Sequence, residues 1–335
     1  MMKLTSLAGV AGLAASLPKS DVMAAEAAVA RQNSLTKPPG SLGRLEELAV
    51  FMAGWRGTAK PVIAKAQAIV FAGNHGICAQ GVNPYPQEVT AQMVGNFQAG
   101  GAAINQLCRA NGAELSVIAL ELDRPTADFT TGPAMTEAET LAAMQVGADA
   151  VDVTADVLIL GEMGIGNSTV AAAMAAALFG GDVAGWVGAG TGSDSEGIKR
   201  KIVAIEKGLV LHKGAAGMGV LAALGGREQA AICGAVLAAR AARIPVILDG
   251  FICTAAASAL YGADAGLLDH CLVGHCSAEP GHRKLLTAMD KRAVLDFDMR
   301  LGEGSGAALA LGILRSALAV HNGMATFGEA GVSEA

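Results

Sequence analysis

Aromatic residues are scarce in this chain, at 4%, and charged residues make up only 16%. The charge that is present sums to −6, with no basic block and no interleaving of aromatic with basic residues. Nucleic-acid binding is therefore not expected. No Cys-x-x-Cys pair occurs among the cysteines at 78, 108, 233, 253, 271 and 276. They read most simply as reduced, buried thiols of an intracellular protein. No apolar run reaches the roughly 18 residues that would suggest a membrane span. What is abundant is small and apolar: 52% hydrophobic residues, much alanine, and 44 glycines. That composition favours helices packed tightly on a sheet, not disorder. With 335 residues, the chain can hold one large α/β domain, or a large and a small one.

The first residues are ambiguous. Lys3 followed by the apolar stretch 4–13 has the look of a weak signal peptide. The same stretch reads as an apolar helix ending near Pro18, and the cytoplasmic character of the rest favours the helix. Beyond it, helices are expected over 21–31, capped by Ser20 or Asp21, and over 46–55. One long helix, interrupted by Gly95, Gly100 and Gly101, is expected over 88–108, with further helices over 136–148, 194–210 and 229–243. Apolar strands are read at 68–72, 114–122, 155–160 and 245–248, with a short apolar run at 272–274. The segment 295–301 runs through a glycine turn into a long helix ending at Val320. The recurring unit is strand, glycine turn, helix, which predicts a mostly parallel, doubly wound sheet.

The chain is organised around residues 161–169, Gly-Glu-Met-Gly-Ile-Gly-Asn-Ser-Thr. Strand, glycine turn and helix together aim free N–H groups at an anion. Counted from Gly161 the spacing is that of a Walker A loop, but Asn167 stands in place of the lysine. A triphosphate would lose its main point charge there, so a phosphate monoester fits better. Glycines that serve only tight packing are the plainer alternative. Glu162 is odd beside an anion unless it faces a sugar hydroxyl or a cationic ring.

Glu162 and Glu303 each sit in Gly-Glu-x-Gly at a strand end. Burial there would raise a carboxyl pKa toward neutrality and make a usable base. Alternatively, Glu303 caps the first turn of its helix. His75, in Gly73-Asn74-His75-Gly76, sits where a strand's C-terminal end presents ligands, as a base, an anchor or a hydrogen-bonded structural histidine. His275, Glu279 and His282 match no compact zinc spacing, and Pro280-Gly281 would break a shared helical face, so no metal site is expected. No Gly-x-Ser-x-Gly elbow occurs, and Thr169 stands where a dinucleotide fingerprint needs its third glycine.

The blocks 36–43 (Thr-Lys-Pro-Pro-Gly-Ser-Leu-Gly), 73–76, 161–169, 188–192, 275–282 and 301–306, with the tail at 324–327 and 330–332, occur together and in order. From about Ala24 to the end they resemble the nicotinate-nucleotide–dimethylbenzimidazole phosphoribosyltransferase family of cobalamin nucleotide-loop synthesis. The resemblance implies a cytoplasmic homodimer with a Rossmann-like, mostly parallel α/β domain over 61–305. A small helical domain would come from 1–60 and 306–335. The reaction implied moves phosphoribose from nicotinate mononucleotide to 5,6-dimethylbenzimidazole, with no metal, cofactor, nucleic acid or membrane. Glu303 would be the general base and Glu162 would contact ribose. Gly164, Gly166, Asn167, Ser168, Gly188, Gly190 and Thr191 would hold phosphate and ribose, with Lys201 on the phosphate charge. Ser277 and Gly302 would also bind substrate. Asn83, where the family often has serine, would line the acceptor pocket with Tyr85, Gln92 and Leu301. A P-loop-like nucleotide kinase and a non-catalytic nucleotide carrier stay open as rivals. ATP hydrolysis would favour the first. Donor binding without nicotinate release would favour the second.

Overall fold

In the computed structural model, residues 3–190 and 192–333 are described. Six strands form one sheet: β1 Ala66–Ala72, β2 Ala113–Ala119, β3 Val157–Met163, β4 Val246–Leu248, β5 Cys271–His275 and β6 Ala293–Leu295. Their order is β2-β1-β3-β4-β5-β6 and every pairing is parallel. The expected α/β class with a parallel sheet is what forms. Chain direction through the sheet reverses between β1 and β3. In an open α/β sheet a crevice opens at that point, outside the strands' C-terminal ends.

The helices are α1 Val22–Ser34, α2 Arg44–Arg56, α3 Val89–Ala99, α4 Ala103–Asn111, α5 Glu137–Asp149, α6 Asn167–Phe179, α7 Ser195–Leu211, α8 Met218–Leu224, α9 Arg227–Ala241, α10 Phe251–Ala263, α11 Pro280–Ala288, α12 Ser305–Gly323 and α13 Phe327–Ala330. Side-chain oxygens of Asp21, Thr136 and Asp194 accept the first free N–H groups of α1, α5 and α7. Those starts were readable from the cap residues. The single long helix expected over 88–108 is two. The chain breaks at Gly100, which takes φ +81 after α3, while Gly95 stays inside that helix. Pro280 opens α11 instead of interrupting it, because a proline at the first helical position loses no hydrogen bond. Ala8–Ala15 is a 3₁₀ helix, and its Val10 and the flanking Leu7 and Leu17 are buried in the main core.

Alternation along the strands sends residues to two apolar layers. Ile69, Phe71, Leu158, Leu160, Val246 and Leu248 pack with α5, α6, α9 and α10. Ala68, Val70, Val157, Ile159 and Ile247 pack with α2, α4 and α12. The scarcity of aromatics has its counterpart in how closely the helices approach. A Cβ on Gly147 of α5 would lie 1.8 Å from the Ala231 carbonyl oxygen of α9, and one on Gly234 of α9 would lie 1.8 Å from that of Met144. Small residues at this crossing let two backbones meet, and dispersion across many close atoms replaces bulk.

Candidate active site

The segments leaving β1, β3, β4, β5 and β6 meet around a cavity of about 380 Å³. The turn after β3 is shorter than the sequence suggested. The strand continues through Gly161, Glu162 and Met163, so the Walker-like count begins on a strand. Gly161 is required there by contact: a Cβ would lie 2.6 Å from the Gly304 nitrogen. The turn proper is Gly164-Ile165-Gly166, and Gly166 at φ +96 starts α6. Thr90 Oγ1 accepts from the Ile165 N–H at 3.1 Å, and the Cys78 thiol donates to the Ile165 carbonyl at 3.1 Å.

Glu162 is buried on the cavity wall and accepts a short hydrogen bond from Asn167 Nδ2. Burial raises its pKa to about 8. The negative charges of Asp249, Glu228 and Glu303 add to the rise, and the Asn167 amide opposes it. At neutral pH the group is mostly protonated, which removes the objection to a carboxylate beside an anion.

A cation lines the same cavity from α7. Lys201 of α7 is buried, with Nζ 3.3 Å from Ser168 Oγ and 3.3 Å from the Gly188 carbonyl. Burial lowers its pKa and Glu279 partly offsets this. Glu279 accepts from the Gly190 N–H at 2.8 Å, while Arg300 donates to the Gly190 carbonyl at 2.8 Å. The Gly190 segment is thus held by charged side chains from two further strand ends. Ser277 completes this wall. Its N–H donates to His282 Nδ1 at 2.8 Å, and burial holds the His282 pKa down to about 3. That imidazole is a neutral structural acceptor.

Glu303 faces the same cavity from the other side. It has φ +63 between Gly302 at +82 and Gly304 at +83, a run of left-handed backbone. A non-glycine residue pays roughly 1–2 kcal/mol for that conformation. The cap reading for Glu303 is not what forms, because Asp249 occupies that position. Its Oδ2 accepts from the Gly304 N–H at 3.0 Å and its Oδ1 from Ala307 at 2.8 Å. Relieved of capping, the Glu303 carboxyl turns to the cavity. Burial, then the Asp249 charge, raises its pKa to about 7. His275 Nδ1 sits 3.4 Å from Asp249 Oδ1.

Gly302 and Leu301 line the rim beside Glu303, and Asn83 and Tyr85 line it opposite, on the proline-rich loop. Asn83 Nδ2 donates to the Tyr85 carbonyl at 2.6 Å. Two of the expected residues do not line the cavity, and a third is not described. Gln92 is exposed on α3, where Val89 and Met93 supply the wall. Gly188 does not line the cavity, and a Cβ there would meet Glu279 Oε2 at 2.2 Å. Thr191 lies outside the described residues. Asp249, Arg300 and Phe251 line the cavity without having been singled out. Asp249 carried a usable signal, a polar residue directly after a buried strand and before a glycine.

The family model described as phosphoribosyltransferase matches residues 17–332. The chain belongs to that family. It is 69% identical over 333 residues to a nicotinate-nucleotide–dimethylbenzimidazole phosphoribosyltransferase of Rhodobacter capsulatus, covering 99% of this chain and 100% of that protein. The protein of that name from Ruegeria pomeroyi is 58% identical over 331 residues, covering 99% and 98%. The crystal structure of CobT from Thermus thermophilus superposes with a TM-score of 0.87 at 42% identity, covering 93% of this chain and 100% of that one. The phosphoribosyltransferase fold is therefore kept in a relative that differs at more than half of its positions.

Proposed function

We propose that this phosphoribosyltransferase moves phosphoribose from nicotinate mononucleotide to 5,6-dimethylbenzimidazole, giving α-ribazole 5′-phosphate and nicotinate. The observation that carries this is Glu303, a carboxyl with a pKa near neutrality facing a cavity whose far end holds Lys201 and Ser168. The chemistry needs one base. The pyridinium departs as a neutral ring nitrogen, so no acid is required, while the benzimidazole must lose its N–H proton as it attacks. Glu303 takes that proton, and Glu162 contacts ribose. Gly164, Gly166, Asn167, Ser168 and Gly190 hold ribose and phosphate with Lys201. Asn83 and Tyr85 on one rim and Leu301 on the other support an acceptor pocket between them. Attack opposite the leaving group inverts the anomeric centre, so a β-nucleotide yields an α-riboside.

The test is to incubate the protein with both compounds and follow nicotinate by chromatography and the riboside's configuration by NMR. Nicotinate release that requires the benzimidazole, with an α product, supports the reading. No release, or a β product, refutes it. We further propose that the chain acts in the cytoplasm as a homodimer, which exposed Val203, Val210 and Leu211 on α7 support. A monomer by sedimentation at micromolar concentration refutes the dimer. A small domain built from both chain ends is supported by Arg31, which donates to the carbonyls of His321, Asn322 and Met324. No helix among the described residues is long and apolar enough to cross a membrane.

A further inference from the structure

Beneath the Gly164–Gly166 turn lies a pair of ionisable side chains that the reaction as written does not use. His75 and Glu228 are both fully buried, with Nε2 and Oε1 3.0 Å apart. His75 follows β1 and Glu228 stands in the first turn of α9, so the pair ties together two segments 153 positions apart. The turn after β3 rests directly on it. A Cβ on Gly164 would lie 2.9 Å from His75 Nε2, so the turn's backbone is in van der Waals contact with the imidazole. Two more glycines close the cradle. A Cβ on Gly226 would lie 2.3 Å from His75 Cε1, and one on Gly73 would lie 2.5 Å from Glu228 Oε2. All four polar atoms of the two side chains, His75 Nδ1 and Nε2 and Glu228 Oε1 and Oε2, have no hydrogen-bond partner among the described residues, so the 3.0 Å approach is an ion-pair contact without hydrogen-bond geometry. The His75 carbonyl accepts from Gln87 Nε2 at 2.7 Å, which connects the same residue to the base of the proline-rich loop on the opposite rim.

We propose that His75 and Glu228 are a positioning pair for phosphoribosyl transfer, setting the height of the Gly164-Ile165-Gly166 turn against the bound donor. The proposal rests on the function given above and concerns the donor half of the site. Two buried polar groups are costly in an apolar core unless they hold each other, so the approach of the two side chains is constrained. Any change in that separation moves Gly164, whose contact with the ring leaves no slack. Gly164 and Gly166 meet the donor only if that height is right, since the Ile165 N–H is already held by Thr90 Oγ1. Misplacing reacting groups by about 1 Å from a distance can cost on the order of a hundredfold. Glu162 feels the pair through space, since the Glu228 charge is one cause of its raised pKa.

Glu228→Gln keeps the shape of the side chain and removes its charge. We expect KM for nicotinate mononucleotide to rise by about ten- to a hundredfold while KM for the benzimidazole stays within about twofold. Both are measured well below the variant's Tm. A lower Tm with both KM values unchanged assigns the pair to stability alone and overturns the proposal. If Glu228→Gln does not fold, the wild type decides. The imidazole ¹⁵N signals of His75, resolved among only six histidines, should shift as nicotinate mononucleotide is added. Unmoved His75 signals while the Gly164 and Gly166 amides shift overturn it. No binding of the mononucleotide at all, seen as unmoved Gly164 and Gly166 amides and no product, refutes the proposed activity and takes the positioning role with it.

Discussion

Glu303→Gln separates two consequences of one buried carboxyl, and they run in opposite directions. The side chain keeps its shape and hydrogen-bonding reach but can no longer take a proton. Turnover should fall on the order of a hundred- to ten-thousandfold, with both substrates still bound. Stability should rise, and only over a defined pH range. The folded protein raises the Glu303 pKa from 4.5 to about 7. The contribution of this group to stability is thus fully present below pH 4.5 and is lost as pH climbs through about 7. The interval corresponds to about 3 kcal/mol, the cost of ionising the group in its buried site beside Asp249. Urea unfolding at about pH 4.5 should therefore find the two proteins nearly equal. At about pH 8 the variant should be more stable by up to about 3 kcal/mol. The rate of the wild type should climb through about pH 7 as the base ionises, and the variant's residual rate should lack that limb. A stability difference that does not change with pH, or near-normal turnover in the variant, would refute the assignment.

Glu162→Gln should weaken nicotinate mononucleotide binding and leave benzimidazole affinity nearly unchanged, as read by calorimetry; the reverse pattern places Glu162 in the other pocket. Lys201→Met should weaken the donor on the order of tenfold or more, and unchanged affinity would mean that the phosphate sits elsewhere. Gly306→Ala would put a Cβ 1.9 Å from His275 Nδ1, so the thermal midpoint should drop by the equivalent of about 1–3 kcal/mol or more. An unchanged midpoint would show that α12 can retreat from the sheet.

Legibility in the sequence followed the range of the interaction. Asp21, Thr136 and Asp194 announce helix starts because a cap bonds to a nitrogen two or three residues on. Glu162 and Glu303 were readable because a strand end, a glycine and a carboxylate are neighbours in the chain. The cap that Asp249 supplies and the partner of Glu228 were not. Asp249 acts on Gly304, 55 residues away, and only the parallel pairing of β4 with β3 and β5 brings them together. Glu228 meets His75 across 153 positions, and no local pattern separates it from any acidic first-turn residue. The end of β3 was misplaced because Gly161 looks like a turn glycine. It is in fact a strand glycine whose missing side chain admits the start of α12. Gln92 is exposed on α3 beside Val89 and Met93, which line the cavity while it does not.

The cavity is lined by four carboxyl groups, Glu162, Asp249, Glu279 and Glu303, against the two cations Lys201 and Arg300. Asp249 and Glu279 are held on backbone N–H groups, which leaves Glu162 and Glu303 to respond to what binds. With the phosphate on Lys201 and the ribose on Glu162, as proposed above, the donor's cationic ring nitrogen comes near the Glu162 carboxyl. An opposite charge at that distance favours the ionised carboxylate, so the Glu162 pKa must fall from about 8 as the donor enters. Near neutral pH the group begins mostly protonated and ends mostly ionised, and binding releases a proton. The amount should approach about one per site, since at a pH about one unit below its pKa a group is about nine-tenths protonated. Calorimetry of nicotinate mononucleotide binding in buffers of different ionisation enthalpy counts that proton. Glu162→Gln should bind with roughly one proton fewer released than the wild type. Equal counts in the two proteins would show that Glu162 stays neutral with the donor in place, and that its contact with ribose is a hydrogen bond from a carboxylic acid.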